Sequence, residues 1–293
     1  MIWRKVHNAQ LDADCWNNCV HNSKNEHIYG YTWYLNIVSE DWVGYVLNDY
    51  QAVFAVPVRK KLGVLYVFQP EFYQRSDVFG NYNKDSLDAL SSEILKSFSK
   101  INITTAIKLF EPSEVLKNLI LQDYEEQKTS TNTLRNIKKA NNNGCQVIEG
   151  GNTDCDDAIN LFVTNTKYAL AKDFKFKFAS LTRVLHNNSG LVIKKVIIEN
   201  KAIAYAVCAK SKSRLTLILL ATSAESKTKG AAHMVVQAMV DHSKSLNLIF
   251  DFEGSNNPGI ARFYKSFGAK VESYFYFDQK LVLGLKNRLL KKA

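Results

Sequence analysis

The stretch that decides the fold is residues 251–268, DFEGSNNPGIARFYKSFG, because it joins a strand end to a short helix. Asn257 followed by Pro258 is typical of a helix N-terminus, since the amide side chain caps the first turn and proline fits its first position. Gly268 is typical of the residue that ends a helix. The stretch therefore predicts a strand, a loop and a capped helix.

The same stretch carries the side chains that proton transfer requires. Alternation along a strand predicts that Asp251 and Glu253 share one face. A helix bearing Tyr264 follows directly, so two carboxylates and a phenol are expected to lie near one another. A structural role remains open for all three, with the acids capping nearby backbone and the tyrosine packing in the core.

A second informative segment lies upstream, where an apolar strand at 215–221 precedes a loop of small residues and a long helix at 230–246. Free N–H groups and the dipole of a helix N-terminus favour phosphate. Lys227 and Lys229 add positive charge to this loop. Many such turns contain glycine without binding a ligand, so an anion site and simple packing both remain open.

The charge of the chain is strongly asymmetric. Residues 1–125 contain 12 Lys and Arg against 15 Asp and Glu, whereas residues 126–293 contain 26 against 13. Such a basic half suggests an anionic partner, namely a nucleotide cofactor, a nucleic acid or an acidic substrate. A solubilising basic surface explains the same counts.

The pattern of apolar residues predicts an α/β protein of two domains, 1–125 and 126–293. Both halves show the order helix, antiparallel strands, helix, strand, which permits a tandem duplication of one fold. Pro57 is expected to end a strand or to mark an edge. A strand is expected at 104–110, and residues 112–130 are expected to form the junction.

Other features of the sequence argue against several classes of protein. The five cysteines form no Cys-x-x-Cys pair and the six histidines show no metal-ligand spacing, so no structural metal is expected. No apolar run is long enough for a spanning helix, and the first residues do not resemble a secretory signal. These observations predict a soluble, cytoplasmic enzyme.

Two motifs resemble those of the GNAT acyltransferase superfamily. The Lys-x-x-Gly-x-Ala sequence at 227–232 is similar to its pyrophosphate loop, with lysine in place of the usual Gln or Arg. Asn257, Tyr264 and Gly268 match the spacing of a later motif, although Ala269 replaces the usual phenylalanine. The order strand, loop, helix, strand, helix also fits that superfamily.

Longer stretches resemble the Fem-type group of bacterial tandem-GNAT proteins, which are related to the transferases that add amino acids to peptidoglycan precursors. These stretches are 56–61, 69–74, 131–140 and 251–263. The resemblance covers most of the chain. It implies two tandem GNAT-like domains, each a mixed, mostly antiparallel sheet flanked by helices.

The resemblance also implies an N-acyltransferase that moves an acyl group from an acyl-CoA thioester, such as acetyl-CoA, to an amine. Tyr264 would protonate the leaving thiolate, and Glu253 or Asp251 would accept the amine proton. A lysine stands at the position of Tyr264 in Fem-type transferases, so tyrosine favours acyl-CoA over aminoacyl-tRNA. The implied cofactor-binding residues are Leu219, Ala221, Lys227, Lys229, Gly230, Ala231, Ala232 and Asn257. The implied substrate-binding residues are Arg135, Lys138 and Arg262.

Two other functions remain open from the sequence. One is a Fem-type transferase that uses aminoacyl-tRNA and acts on a peptidoglycan precursor. The other is a catalytically inactive GNAT-like protein that binds an anionic glycan precursor or RNA. The acceptor, a small molecule or a peptide amine, and the oligomeric state are not indicated by any motif.

Overall fold

The computed structural model describes residues 2–61, 63–254 and 256–280, and these fall into two compact units. The first unit extends to Leu116 and includes the final strand from Ser273, whereas the second unit is Lys117–Glu272. The sequence-based domains were 1–125 and 126–293. The difference has two parts. Residues 117–125, at the end of the first half of the sequence, belong to the second unit, and the final strand from Ser273 belongs to the first unit.

The first unit is a sheet with three helices. Its strands follow the order β1-β2-β3-β4-β6, with β5 paired to β3. The elements that begin in this unit are β1 (Trp3–His7), α1 (Ala13–His21), α2 (Thr32–Val38), β2 (Trp42–Leu47), β3 (Ala52–Lys61), β4 (Val64–Val67), β5 (Val78–Gly80), α3 (Lys84–Ser97), β6 (Lys100–Thr105) and β7 (Glu114–Leu121).

Tryptophans organise the core of the first unit. Trp16 of α1 and Trp42 of β2 are fully buried and meet edge to face, with ring centroids 5.2 Å apart. The indole N–H of Trp16 donates to the carbonyl of Gly30, 2.8 Å away, so burial leaves this polar group satisfied. Asp12 caps α1 by accepting from the backbone N–H of Cys15.

Pro57 neither ends its strand nor lies at an edge, so that expectation was wrong. It is inside β3, at the point where the pairing partner changes. Residues 52–57 pair with β2, and Val58–Lys61 pair with β4. Proline is tolerated at this changeover because its missing N–H falls where one ladder gives way to the other.

The second unit is a six-stranded sheet in the order β7-β12-β11-β10-β9-β8, in which only β11 and β12 are parallel. Helix α5 packs against β11, and α8 packs against α4 and β10. The remaining elements are α4 (Thr131–Asn142), β8 (Gln146–Glu149), α5 (Asp154–Asn165), α6 (Phe174–Asn187), β9 (Leu191–Ile198), β10 (Lys201–Lys210), β11 (Arg214–Thr222), α7 (Ala224–Lys229), α8 (Ala231–Ser245), β12 (Ile249–Asp251), α9 (Pro258–Lys265) and β13 (Lys270–Lys280).

The predicted fold class is confirmed, since the chain forms mixed, mostly antiparallel sheets flanked by helices and repeats one order of elements. The predicted junction at 112–130 contains the division between the two units, after Leu116, and it also contains β7, whose Ile120 and Leu121 pair with β12. The strand β7 was not predicted because only its second half is a continuous apolar run. The strand expected at 104–110 begins earlier, at Lys100, and ends at Thr105.

The last strand completes the sheet of the first unit, which leads to a stability prediction. Residues 275–280 of β13 pair with β6, and the Phe277 ring is fully buried against Phe110. We expect Phe277→Ala to lower the free energy of unfolding by about 3–5 kcal/mol, because it opens a cavity in this core. All four tryptophans lie within the first 42 residues. The measurement is therefore denaturant unfolding followed by tryptophan fluorescence.

The matched control for that variant is Val271→Ala, at a half-exposed position on the same strand. This substitution should change the tryptophan transition by less than about 0.5 kcal/mol. An unchanged transition in Phe277→Ala would contradict the assignment of β13 to the first core.

Candidate active site

The second unit contains an opening where two parallel strands separate. β11 and β12 pair only over Arg214–Thr216 and Ile249–Asp251. β12 then ends, whereas β11 continues to Thr222 with β10 as its only strand partner in the described part of the chain. Alternate backbone N–H groups along 217–222 therefore face the opening and not a neighbouring strand.

A β-bulge marks the point where the strands separate. Val207 pairs with Leu219 and Cys208 pairs with Leu217, so Ile218 is the extra residue on β11. A bulge bends its strand and redirects the neighbouring backbone groups, and bulges are frequent beside active sites. The two predicted strand residues, Leu219 and Ala221, are buried on β11 immediately beyond this bulge.

A buried charge network holds the closed end of the opening. Arg214 donates to Asp251 at 2.9 Å and to both carboxylate oxygens of Glu272, at 2.7 and 3.2 Å. Asn118 of β7 donates to Asp251 and to Glu272, at 3.0 and 3.1 Å. Burial alone would lower the pKa of Arg214, but the two carboxylates outweigh it and raise the pKa above its usual value. Four strands are thus connected by charge-assisted hydrogen bonds.

The two predicted acids do not share a strand face, so this expectation was wrong. β12 ends at Asp251, and Glu253 has a φ of 58°, a left-handed conformation that interrupts any strand. The carboxylate of Asp251 accepts the backbone N–H of Glu253 at 2.8 Å. Asp251 is 1% exposed and fully engaged with Arg214, whereas Glu253 is half-buried. The pair therefore divides into a structural acid and an accessible one.

Helix α9 forms as expected, and it turns Tyr264 inward. Asn257 caps the helix by accepting from the backbone N–H groups of Gly259 and Ile260, at 2.9 and 3.3 Å. The ring of Tyr264 is buried against Phe252, with centroids 4.7 Å apart. Lys265, the next residue, is exposed.

The surroundings of Tyr264 favour its neutral form. Burial raises the pKa of Tyr264 well above its usual value near 10, and the negative potential of Glu253 adds to the effect. Cys208 and Tyr168 contribute in the same direction. The hydroxyl therefore keeps its proton at neutral pH, next to a half-buried carboxylate, which suits a proton donor.

Two of these neighbours were not indicated by the sequence. Cys208 is fully buried on β10, beside the bulge, and burial raises its pKa well above the usual value, so the thiol is not an activated nucleophile. Tyr168 follows α5, and its hydroxyl lies 3.4 Å from the Asn257 side-chain nitrogen. Neither local motif nor periodicity marks these positions, because their proximity is created by the fold.

The predicted phosphate loop differs in conformation from the expectation. Residues 224–229 form the short helix α7, capped by Ser223, where a loop was expected. The long helix expected at 230–246 is confirmed as α8, Ala231–Ser245. Gly230 has a φ of 81°, and an added Cβ there would overlap the backbone oxygen of Asn136 in α4. The small residues at this position therefore serve the close packing of α4 against the turn between α7 and α8.

The remaining predicted residues lie on the surrounding helices. Ala231 is buried and Ala232 is half-buried at the start of α8. Lys227 is exposed, and Lys229 donates to Asn143 at 3.3 Å. The three predicted substrate-binding residues are exposed, and none of them has an ion-pair partner among the described residues: Arg135, Lys138 and Arg262. Ser255, part of the stretch that decides the fold, lies outside the described residues.

The equivalent opening of the first unit is filled by its own chain. β4 and β6 are also parallel, and they pair only at Val67 and Ile101. Beyond that pair, the Gln69 side chain accepts from the backbone N–H of Thr104, and Ser76 donates its N–H to the Thr104 carbonyl. The candidate site is therefore assigned to the second unit.

No cluster of three or more His, Cys, Asp or Glu side chains among the residues that the structure describes has the geometry to hold a metal ion. None of the described helices is long and apolar enough to cross a membrane.

Comparisons with solved structures agree on the architecture. FemX superposes with a TM-score of 0.69 at 13% identity, covering 99% of each chain. L-PGS from Bacillus licheniformis gives 0.57 at 11% identity, with 96% of each chain covered. A tandem GNAT protein from the clavulanic acid biosynthesis pathway gives 0.51 at 8% identity, covering 94% of this chain and 98% of that one.

The chain has the tandem GNAT-like fold of Fem-related proteins. At these identities the likeness concerns the fold alone. No protein-family model and no curated protein matches the sequence. The separation of β11 and β12 is seen in this chain directly, independently of the comparisons. The same holds for the inward position of Tyr264.

The buried network around Arg214 leads to a second stability prediction. We expect Arg214→Met to lower the free energy of unfolding by about 3–5 kcal/mol, because Asp251 and Glu272 would lose the cation that compensates them. Urea unfolding followed by far-ultraviolet circular dichroism measures this change. The control is Lys270→Met, which breaks exposed ion pairs with Asp123 and Glu126 and should cost less than about 1 kcal/mol. Equal losses of unfolding free energy in the two variants would contradict a stabilising role for the buried network around Arg214.

The turn at Gly230 leads to a third prediction. Gly230→Ala combines a left-handed backbone with an overlap on α4, whereas Gly144→Ala has a φ of 74° and open space around the added Cβ. We expect Gly144→Ala to cost about 1 kcal/mol for the backbone alone and Gly230→Ala to cost more. Thermal unfolding of the two variants compares them directly. A Gly230 variant no less stable than the Gly144 variant would mean that α4 does not contact this turn closely.

Proposed function

We propose that the second unit transfers an acyl group from an activated ester to an amine. The observation that carries this proposal is the burial of Tyr264 against Phe252, the residue before the half-buried Glu253, where β12 has ended and β11 continues. This arrangement supplies a proton donor, a proton acceptor and unpaired main-chain donors at one place. Those three groups are what acyl transfer to an amine requires.

Each group has a defined part in the proposed reaction. Backbone N–H groups of the bulged strand, around Leu219 and Ala221, stabilise the negative charge on the carbonyl oxygen. The amine nitrogen bonds to the carbonyl carbon, and its proton passes to Glu253. The bond to the leaving group then breaks, and Tyr264 protonates that group. Asp251 is the weaker candidate for the base because Arg214 and Asn118 already occupy its carboxylate.

The donor we favour is an acyl-CoA thioester. Tyr264 faces inward at the position of the Fem-type lysine, while Lys265 faces solvent, and a phenol suits protonation of a departing thiolate. The coenzyme phosphates would be bound by Lys227 and Lys229 of α7, with Arg135 and Lys138 of α4 on the adjoining surface. The fold shared with the tandem GNAT protein supports an acyl-CoA donor.

An aminoacyl-tRNA donor is the second candidate, and a specific observation favours it. Helix α7 and the packing of Gly230 against Asn136 leave no glycine-lined loop of the kind that holds a pyrophosphate. Exposed cations on α4 would instead meet the phosphates of RNA. FemX, which shares the fold over 99% of each chain, and the Fem-type motifs agree with this alternative.

The role of Tyr264 is tested by Tyr264→Phe. We expect kcat to fall by about 10- to 100-fold with little change in acceptor KM, because only proton transfer to the leaving group is lost. Tyr124→Phe is the control, since it removes a hydroxyl that donates to the Leu248 carbonyl outside the site. Because the pKa of Tyr264 is raised, loss of activity through its ionisation should appear only above about pH 10. Unchanged kcat in Tyr264→Phe would contradict this role.

The donor is identified by assaying acyl transfer with acetyl-CoA and with aminoacyl-tRNA, using the same panel of primary amines. Transfer from acetyl-CoA with release of free coenzyme A supports our preferred donor. Transfer from aminoacyl-tRNA alone would overturn that donor and retain acyl transfer. Absence of transfer from both donors would overturn the proposed function.

A further inference from the structure

A lysine-rich segment lies beside the candidate site. The segment 166–176 connects α5 to the first turn of α6, and we refer to it as the 166–176 segment. Its exposed cations are Lys167, Lys172 and Lys175. The only carboxylate in the segment, Asp173, is paired with Lys177 at 3.0 Å.

These lysines carry uncompensated charge. Lys167 and Lys172 have no ion-pair partner among the residues that the structure describes, and Lys175 donates to the neutral Asn160 side chain at 2.7 Å. Three exposed lysines in one short segment, none of them paired with a carboxylate, produce a local positive potential that attracts anions.

Tyr168 connects this segment to the reacting groups. Its side chain is 58% exposed, yet its hydroxyl lies 3.4 Å from the Asn257 side chain that caps α9. Burial, then Glu253 and Cys208, and last Tyr168 raise the pKa of Tyr264. Tyr168 therefore connects the solvent-exposed segment to the start of α9, the helix that carries Tyr264.

The segment also exposes an aromatic ring that a buried role does not explain. Phe176 is 75% exposed, although the neighbouring Phe174 and Phe178 are buried in the unit. An exposed ring flanked by lysines and a tyrosine offers one apolar surface and several cations. Such a surface suits an organic ligand with a negatively charged group.

We propose that the 166–176 segment binds the acceptor and selects amines that carry an anionic group close to the nucleophilic nitrogen. This inference rests on the proposed function, because it concerns the acceptor of the same reaction. The lysines bind the anion, and Tyr168 positions the amine toward Glu253 and Tyr264. The donor enters along β11, so donor and acceptor approach the opening from different elements.

The test compares O-phosphoethanolamine with ethanolamine, which share one amine and differ in the phosphate. Equilibrium dialysis with the full chain measures the binding of each without requiring a reaction. We expect the phosphorylated amine to bind about tenfold more tightly, which is the size of effect that two exposed charge pairs produce. The double variant Lys167→Gln/Lys172→Gln should remove most of that difference. Lys244→Gln, at an exposed lysine on α8, should leave it unchanged.

Transfer assays with the same two amines separate this inference from the proposed function. Acylation of both amines with equal binding, or a preference that persists in the double variant, would overturn the inference and retain acyl transfer. Binding that follows the lysines without acylation of either amine would overturn the proposed function instead. We expect Tyr168→Phe to raise acceptor KM several-fold with a smaller change in kcat, as a positioning residue requires, and an unchanged KM would contradict its role.

Discussion

The candidate site depends on the salt bridge between Arg214 and Asp251. Arg214 is the first residue of β11 and Asp251 is the last residue of β12, so the salt bridge runs diagonally across the three residue pairs over which the two parallel strands meet. Glu272 and Asn118 extend the network to β13 and β7. A buried charge is costly unless an opposite charge and hydrogen bonds compensate it, so these strand ends are held in one arrangement. The strands then separate beyond a fixed point, and the site occupies the space that results.

This anchor also explains why two neighbouring acids differ in character. Asp251 is committed to Arg214, and it holds the backbone N–H of Glu253 in a left-handed turn. That turn ends the strand and directs the chain toward α9, whose cap and inward face position Tyr264. One carboxylate therefore holds the strand ends together, and the other lies half-buried in the turn that leads to α9. In the first unit, Gln69 and Ser76 fill the corresponding space, which leaves one opening of this kind in the described chain.

Local rules in the sequence predicted the parts whose causes are local. Asn257 and Pro258 correctly predicted the start of α9, because capping depends on neighbouring residues, whereas the helix ends at Lys265, before the predicted stop at Gly268. The shared face of Asp251 and Glu253 was not predictable, since a backbone turn imposed by a side-chain contact replaced the strand. Helix α7 has local caps, Ser223 and Gly230, which the sequence analysis interpreted as parts of a phosphate loop. The partners of Arg214 lie 37 and 58 residues away in sequence, so no local pattern indicates them. Tyr168 reaches the site only through the fold.

The most direct test of this account is a crystal structure with an unreactive donor analogue, either a thioether analogue of acetyl-CoA or an amide-linked aminoacyl RNA. We expect the acyl carbonyl oxygen to lie within about 3 Å of main-chain N–H groups of residues 217–222, with the leaving-group atom directed at Tyr264. An acyl group bound elsewhere on the chain, or an opening that neither analogue enters, would contradict it.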